Sequence, residues 1–122
     1  MTPTVLWTNS SPTSSFDGQT VTLSDDMDNY DYIAVKYAYS SAENNNASTC
    51  IYSVEDFKKG VSASSTKRNM MSLGIININN QPHIRGVYYV TNTSINFGGC
   101  YRVNYASTAN SNAIPLQIVG LK

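Results

Sequence analysis

A chain of 122 residues suffices for one hydrophobic core and is too short for two ordinary ones, so residues 1–122 read as a single domain. Eight basic and eight acidic side chains cancel, and charged residues make up only 13% of the chain. With no basic run to follow phosphates and no apolar stretch of spanning length, nucleic acid and membrane insertion are excluded as partners.

Polarity is carried instead by 16 Ser, 11 Thr and 14 Asn, a third of the chain. Met1 to Leu6 lack a cationic region ahead of an apolar block, so no signal peptide is expected. Cys50 and Cys100 form no C-x-x-C pair, and with the single His83 they are too few for a zinc site. Without export, two reduced, mostly buried thiols are the expectation. Asn9-Ser10-Ser11, Asn46-Ala47-Ser48 and Asn92-Thr93-Ser94 match the glycosylation pattern, which in so Asn- and Ser-rich a chain means only surface loop.

Short apolar or alternating runs separated by turn clusters predict a sandwich or barrel. Val5 to Thr8 is a first strand and Asn9 to Ser15 a loop. Gln19 to Ser24 alternates, with β-branched residues suited to a pleat. Asp25 to Asp31, with four aspartates, reads as a turn. Tyr32 to Tyr39 is the clearest strand. Ile33, Val35, Tyr37 and Tyr39 are its expected core face, because Lys36 marks the other as wet. Ser40 to Ser48 reads as a mobile loop and Thr49 to Tyr52 as a strand. Ser53 to Gly60 suits one or two helical turns, capped by Ser53, with lysines at the negative end and Gly60 as the stop; an extended edge is the alternative.

Ser62 to Thr66 reads as flexible, and Arg68 to Ile78 as a strand broken at Gly74. A turn at Asn79 to Pro82 leads into His83 to Thr91, where Ile84, Gly86, Tyr88 and Val90 oppose His83, Arg85, Val87 and Tyr89, with Tyr88 on the expected core face. Asn92 to Ser94 turns into Ile95 to Phe97, and Gly98-Gly99 suggests a bulge or tight turn before Cys100 to Tyr105. After a polar loop, Ile114 to Leu121 closes the chain with Ile114, Leu116 and Ile118 on one face. Pro115, which lacks a donor, places that strand at the start or edge of its sheet. The expected fold is all-β: an antiparallel β-sandwich with jelly-roll-like topology, an open barrel being second.

Catalytic chemistry is not legible. His83 has no G-x-S-x-G partner turn, and six of the eight acids lie in two local clusters where solvated turn acids are the plain reading. The Asp25 to Asp31 run lacks the glycine and glutamate of an EF-hand, leaving only a generic calcium loop open. No phosphate-cradling or dinucleotide glycine pattern exists, so no cofactor is expected. What stands out is nine Tyr, one Trp and three Phe, side chains that bind sugars and flat protein surfaces at low entropic cost. Most would pack the sandwich. Tyr32 and Tyr89, on the faces opposite the expected core, are the contact-surface candidates.

Two stretches carry a resemblance. Leu6-Trp7-Thr8-Asn9-Ser10-Ser11-Pro12-Thr13-Ser14-Ser15-Phe16, with Gln19-Thr20-Val21-Thr22-Leu23 and Tyr30-Asp31-Tyr32, is similar to a module of structural proteins of tailed phages and prophages of Gram-positive gut bacteria. Cys100-Tyr101 and Asn112 to Lys122 resemble that module's closing strand. The resemblance implies a non-enzymatic virion-surface β-domain, in a head appendage, capsid decoration, tail fibre or tail tip. It implies self-association, as a homotrimer, contacts with other virion proteins, and no catalytic residues. Met1 stands almost on the first strand, so both a free-standing small virion protein and an excised domain stay open. The alternative function is a lectin-like module for host-surface glycans; a small hydrolase is third.

Overall fold

The computed structural model describes residues 2–59, 71–73, 76–78, 80–102 and 108–122. In chain order its strands are β1 (Thr4–Thr8), β2 (Gln19–Thr22), β3 (Tyr32–Ser40), β4 (Glu43–Ser53), β5 (Met71–Ser72), β6 (Ile76–Ile78), β7 (Gln81–Thr91), β8 (Ser94–Arg102) and β9 (Asn112–Leu121). A helix, α1 (Val54–Lys59), and a 3-10 turn at Met27–Asn29 complete the set. One sheet has the order β1-β9-β3-β4. The second has the order β2-β8-β7-β5, with β6 also on β7. All pairings are antiparallel. The chain is therefore an all-β sandwich.

A jelly roll winds a long hairpin so that first pairs with last and second with last but one. Here β1 pairs β9 and β2 pairs β8 in that way. Inside them the chain departs from the jelly roll: β3 and β4 form a plain hairpin in one sheet, and β7 pairs with β6 and β8 in the other. Between the sheets lie Leu6, Ile33, Val35 and Ile118 from one side and Val87, Ile95 and Phe97 from the other, all at most 2% exposed. Phe16, Trp7 and Phe97 meet edge-on or tilted, with ring centroids 5.5–6.1 Å apart.

Of the residues expected as a loop at Ser40 to Ser48, all but Ser41 and Ala42 are strand. β4 runs from Glu43, with Ser40 opposite Glu43 across a two-residue connection. Asn and Ser are poor strand formers, but pairing along the whole of β3 overrides that preference. α1 forms as expected, with the Asp56 N–H donating to Ser53 Oγ at 3.1 Å. Gly60 and Ser62 to Thr66 lie outside the described residues, as does the expected break at Gly74, which falls between β5 and β6. Before β7 the turn needs Asn80 at φ 62°, a left-handed conformation that Asn tolerates. Gly98 and Gly99 form the expected bulge: Arg85 faces Cys100 and Val87 faces Phe97, so two β8 residues stand against Gly86.

Three face assignments change. On β3, Ile33 and Val35 point inward as expected, but Tyr39 is 44% exposed and Ala38 is buried in the core. The cause is register: Lys36 faces Gln117 and Tyr37 faces Pro115, so β9 carries Leu116 as an extra residue and strict alternation ends there. On β7 the inward set is His83, Arg85, Val87 and Tyr89, not the set containing Tyr88. The closing strand is not an edge: β9 lies between β1 and β3, and Pro115 is accommodated beside the Leu116 bulge. Ile118 is 0% exposed whereas Leu116 only packs partly against the core. Ile118→Ala is therefore expected to cost about 2–5 kcal/mol and Leu116→Ala clearly less, read from chemical-denaturation midpoints.

Candidate functional site

Antiparallel partners point to the same side of a sheet, so the register defines each row of side chains. Val5 faces Val119, Val119 faces Ala34, and Ala34 faces Ile51. This row crosses all four strands of the first sheet on its outer side. Ala34 and Val119 are 1% and 5% exposed yet stand outside the core cluster, while Val5 and Ile51 at the row's ends are 49% and 55% exposed. On the same side it is flanked by a row of Leu121, Tyr32 and Ser53 and, on its other flank, by a row of Gln117, Lys36 and Thr49. A solvated sheet face normally alternates to polar residues, and this one is aliphatic at its centre with Lys36 as the one charge in these three rows.

At one end of this face a groove of about 630 Å³ opens between the Asp25–Asp31 loop, the ends of β3 and β4, and α1. Tyr30, Asp31, Tyr32, Ser53, Glu55 and Lys58 are among its walls. The loop acids are fixed by local bonds. Asp25 Oδ2 accepts from the Tyr30 hydroxyl at 2.8 Å, and Oδ1 accepts from the Asp26 N–H and from Asn29 Nδ2. Asp26 caps the 3-10 turn through the Asp28 N–H. Asp28 receives Lys58 Nζ at 2.6 Å and Asn92 Nδ2 at 2.9 Å. Among the described residues no group of three or more His, Cys, Asp or Glu is placed to hold a metal ion. Asp25, Asp26 and Asp28 of the calcium-loop reading are tied to protein donors.

The Tyr30 hydroxyl, then the Asp26 N–H and the Asn29 amide, hold the Asp25 carboxyl below its ordinary 3.8. The same bond pushes the Tyr30 hydroxyl up. A carboxyl lowered on folding stabilises the fold above its unfolded pKa, and that contribution is lost as pH falls through the folded value. The stability gap between wild type and Asp25→Asn should therefore be constant near neutrality and close as pH drops below 3.8, as followed by denaturant midpoints across an acid series.

The two expected contact residues separate. Tyr32 is 42% exposed, on the outer face and at the groove. Tyr89 is half-buried on the inner side of β7, edge-on to Phe57 at 6.2 Å, with its hydroxyl donating to Asn92 Oδ1 at 2.8 Å. His83, expected at the surface, is 8% exposed, and its Nδ1 donates to the Gln81 carbonyl at 2.9 Å. Cys50 is half-buried and Cys100 buried, with no bond between them; burial pushes both thiols up, the Arg85 guanidinium opposing this at Cys100.

Sequence reasoning missed Val5, Ala34, Ile51 and Val119 as a set, because Lys36 labelled their whole face as wet. It also missed Arg85, which is 0% exposed. Arg85 Nε donates to the Ala113 carbonyl and Nη1 to the Gly98 carbonyl, both at 2.8 Å. Its Nη2 donates to the carbonyls of Asn112 at 3.0 Å and Asn110 at 3.3 Å, and the guanidinium carbon lies 5.3 Å from the Phe16 ring centre. Comparison with known proteins finds no family model that matches the chain and no curated relative.

Proposed function

We propose that this chain is a non-enzymatic structural protein of a tailed-phage virion, displayed on the particle surface, and that it assembles into homotrimers through the outer face of its first sheet. The observation that carries self-association is the pair of exposed aliphatic side chains Val5 and Ile51, at either end of a row whose centre, Ala34 and Val119, is already buried within the chain. The centres of subunit interfaces exclude charge; this row carries none, and Lys36 stands at its margin. The adjoining edge strand suits the same use. β4 has Glu43 as its one charge and neither Lys nor Pro to blunt it, and among the described residues no further strand follows it in the sheet. The virion location rests on the strand-and-turn resemblance of the two chain ends. The non-enzymatic reading is supported by where polar groups are spent: Asp28 on a lysine, Asp25 with its carboxyl driven down rather than up, and His83 on a main-chain carbonyl.

Ile51→Lys places a charge at the exposed end of the aliphatic row, beside the open edge of the sheet. Its expected result is a particle of 13.4 kDa by light scattering at micromolar concentration, with the wild type at three times that mass. The weakening expected is about two orders of magnitude or more in dissociation constant. Wild type at 13.4 kDa would end the oligomer reading. Absence of the chain from purified particles by mass spectrometry would end the virion reading.

A further inference from the structure

We propose that the groove between α1, the Asp25–Asp31 loop and the ends of β3 and β4 binds a neutral saccharide unit, with Tyr32 as its stacking platform. Its volume, about 630 Å³, falls in the range of small-molecule sites. Tyr32 supplies an aromatic ring 42% exposed at the wall, the surface on which the C–H face of a sugar packs. Around it stand the Asp31 carboxylate, an acceptor, and the Ser53 hydroxyl, a donor, which match the alternating donors and acceptors of sugar hydroxyls.

The charge pattern selects a neutral ligand. Lys58 is paired with Asp28 at 2.6 Å and Lys59 with Glu55 at 2.8 Å, so neither lysine is an unspent anchor for an anion. Three carboxylates line the groove against two lysines, and the Asp31 carboxylate has no side-chain partner among the described residues. An anionic polymer would meet net repulsion there, whereas a polyhydroxyl ligand donates to Asp31 without a desolvated charge of its own.

The walls are also set in advance. The Tyr30 ring packs closely against Gly120 and its hydroxyl is held by Asp25. Asp28 is held from two sides by Lys58 and Asn92, and Ser53 accepts from the Asp56 N–H at the start of α1 while keeping its own proton to donate. Such a site loses little order on binding. All these residues belong to one chain, so the site does not depend on self-association.

The test is a titration of the isotopically labelled chain, followed by backbone amide shifts, with glucose, galactose, rhamnose, N-acetylglucosamine and N-acetylgalactosamine, each with a glucuronate control. At least one neutral sugar is expected to shift the amides of Tyr32, Ser53 and Glu55 at millimolar concentration. Tyr32→Ala should weaken it about tenfold and Tyr32→Phe should retain it. Ile51→Lys, outside the groove, should bind as wild type does, which separates this site from the fate of the oligomer. No response from any neutral sugar, glucuronate binding in preference to them, or unchanged binding by Tyr32→Ala would overturn the proposal.

Discussion

Arg85→Met is expected to lower stability by about 3–5 kcal/mol, a large share of the roughly 5–15 kcal/mol of an ordinary domain. The guanidinium is wholly buried, and its acceptors are the carbonyls of Gly98, Asn110, Asn112 and Ala113. Burial pulls its pKa down, and among the described residues no carboxylate hydrogen-bonds to it. Methionine fills a similar volume but leaves those carbonyls without donors, and unpaired buried acceptors cost more than a bond's net worth. The damage would spread, because those carbonyls belong to the Gly98-Gly99 bulge and to the turn that starts β9. That turn holds Ala113 at φ 48°, a conformation alanine adopts only under constraint. Arg85→Lys keeps the charge and loses the planar fork, so it should fall between. Urea denaturation of the three proteins measures this; Arg85→Met within about 0.5 kcal/mol of wild type would mean that the fork is dispensable.

Gly120→Ala is expected to cost about 1–3 kcal/mol, although it adds one methyl. A Cβ there would stand 2.5 Å from Tyr30 Cδ1 and 2.6 Å from Cγ, closer than carbon atoms approach. Neither side yields easily. Gly120 is on a strand paired on both sides, with Thr4 and Ile33, and the Tyr30 ring is pinned by Asp25. The paired change Tyr30→Ala should remove most of the penalty of Gly120→Ala, giving a coupling that a double-mutant cycle reads directly. Additive losses would show that the strain lies elsewhere.

The fold class was legible because it depends on local pattern: β-branched alternation and turn clusters carried β1, β2, β3 and β9. What escaped depended on register. The Leu116 bulge reverses inside and outside along part of β3, and nothing in the residues around Lys36 announces an extra residue on a strand some eighty positions away. Arg85 escaped for another reason. A charged residue reads as wet, and here its partners are main-chain carbonyls that have no residue type to search for. The candidate face was half legible. Tyr32 was singled out, but the aliphatic row beside it is assembled from four strands, and only pairing brings Val5, Ala34, Ile51 and Val119 into line. The groove depends on how α1 and the acidic loop meet, which no single segment encodes.

The central place of β9 bears on how the chain reaches this structure. β3 and β4 can zip as soon as they are synthesised, but β1 has no neighbour in its sheet until β9 arrives. Closing the loop from β1 to β9 is the slowest kind of contact to make, and its entropy is spent before any packing rewards it. During synthesis the core face of the β3–β4 hairpin would wait exposed until β9 had been made. The first sheet's outer surface therefore cannot mature until β9 is in place between β1 and β3.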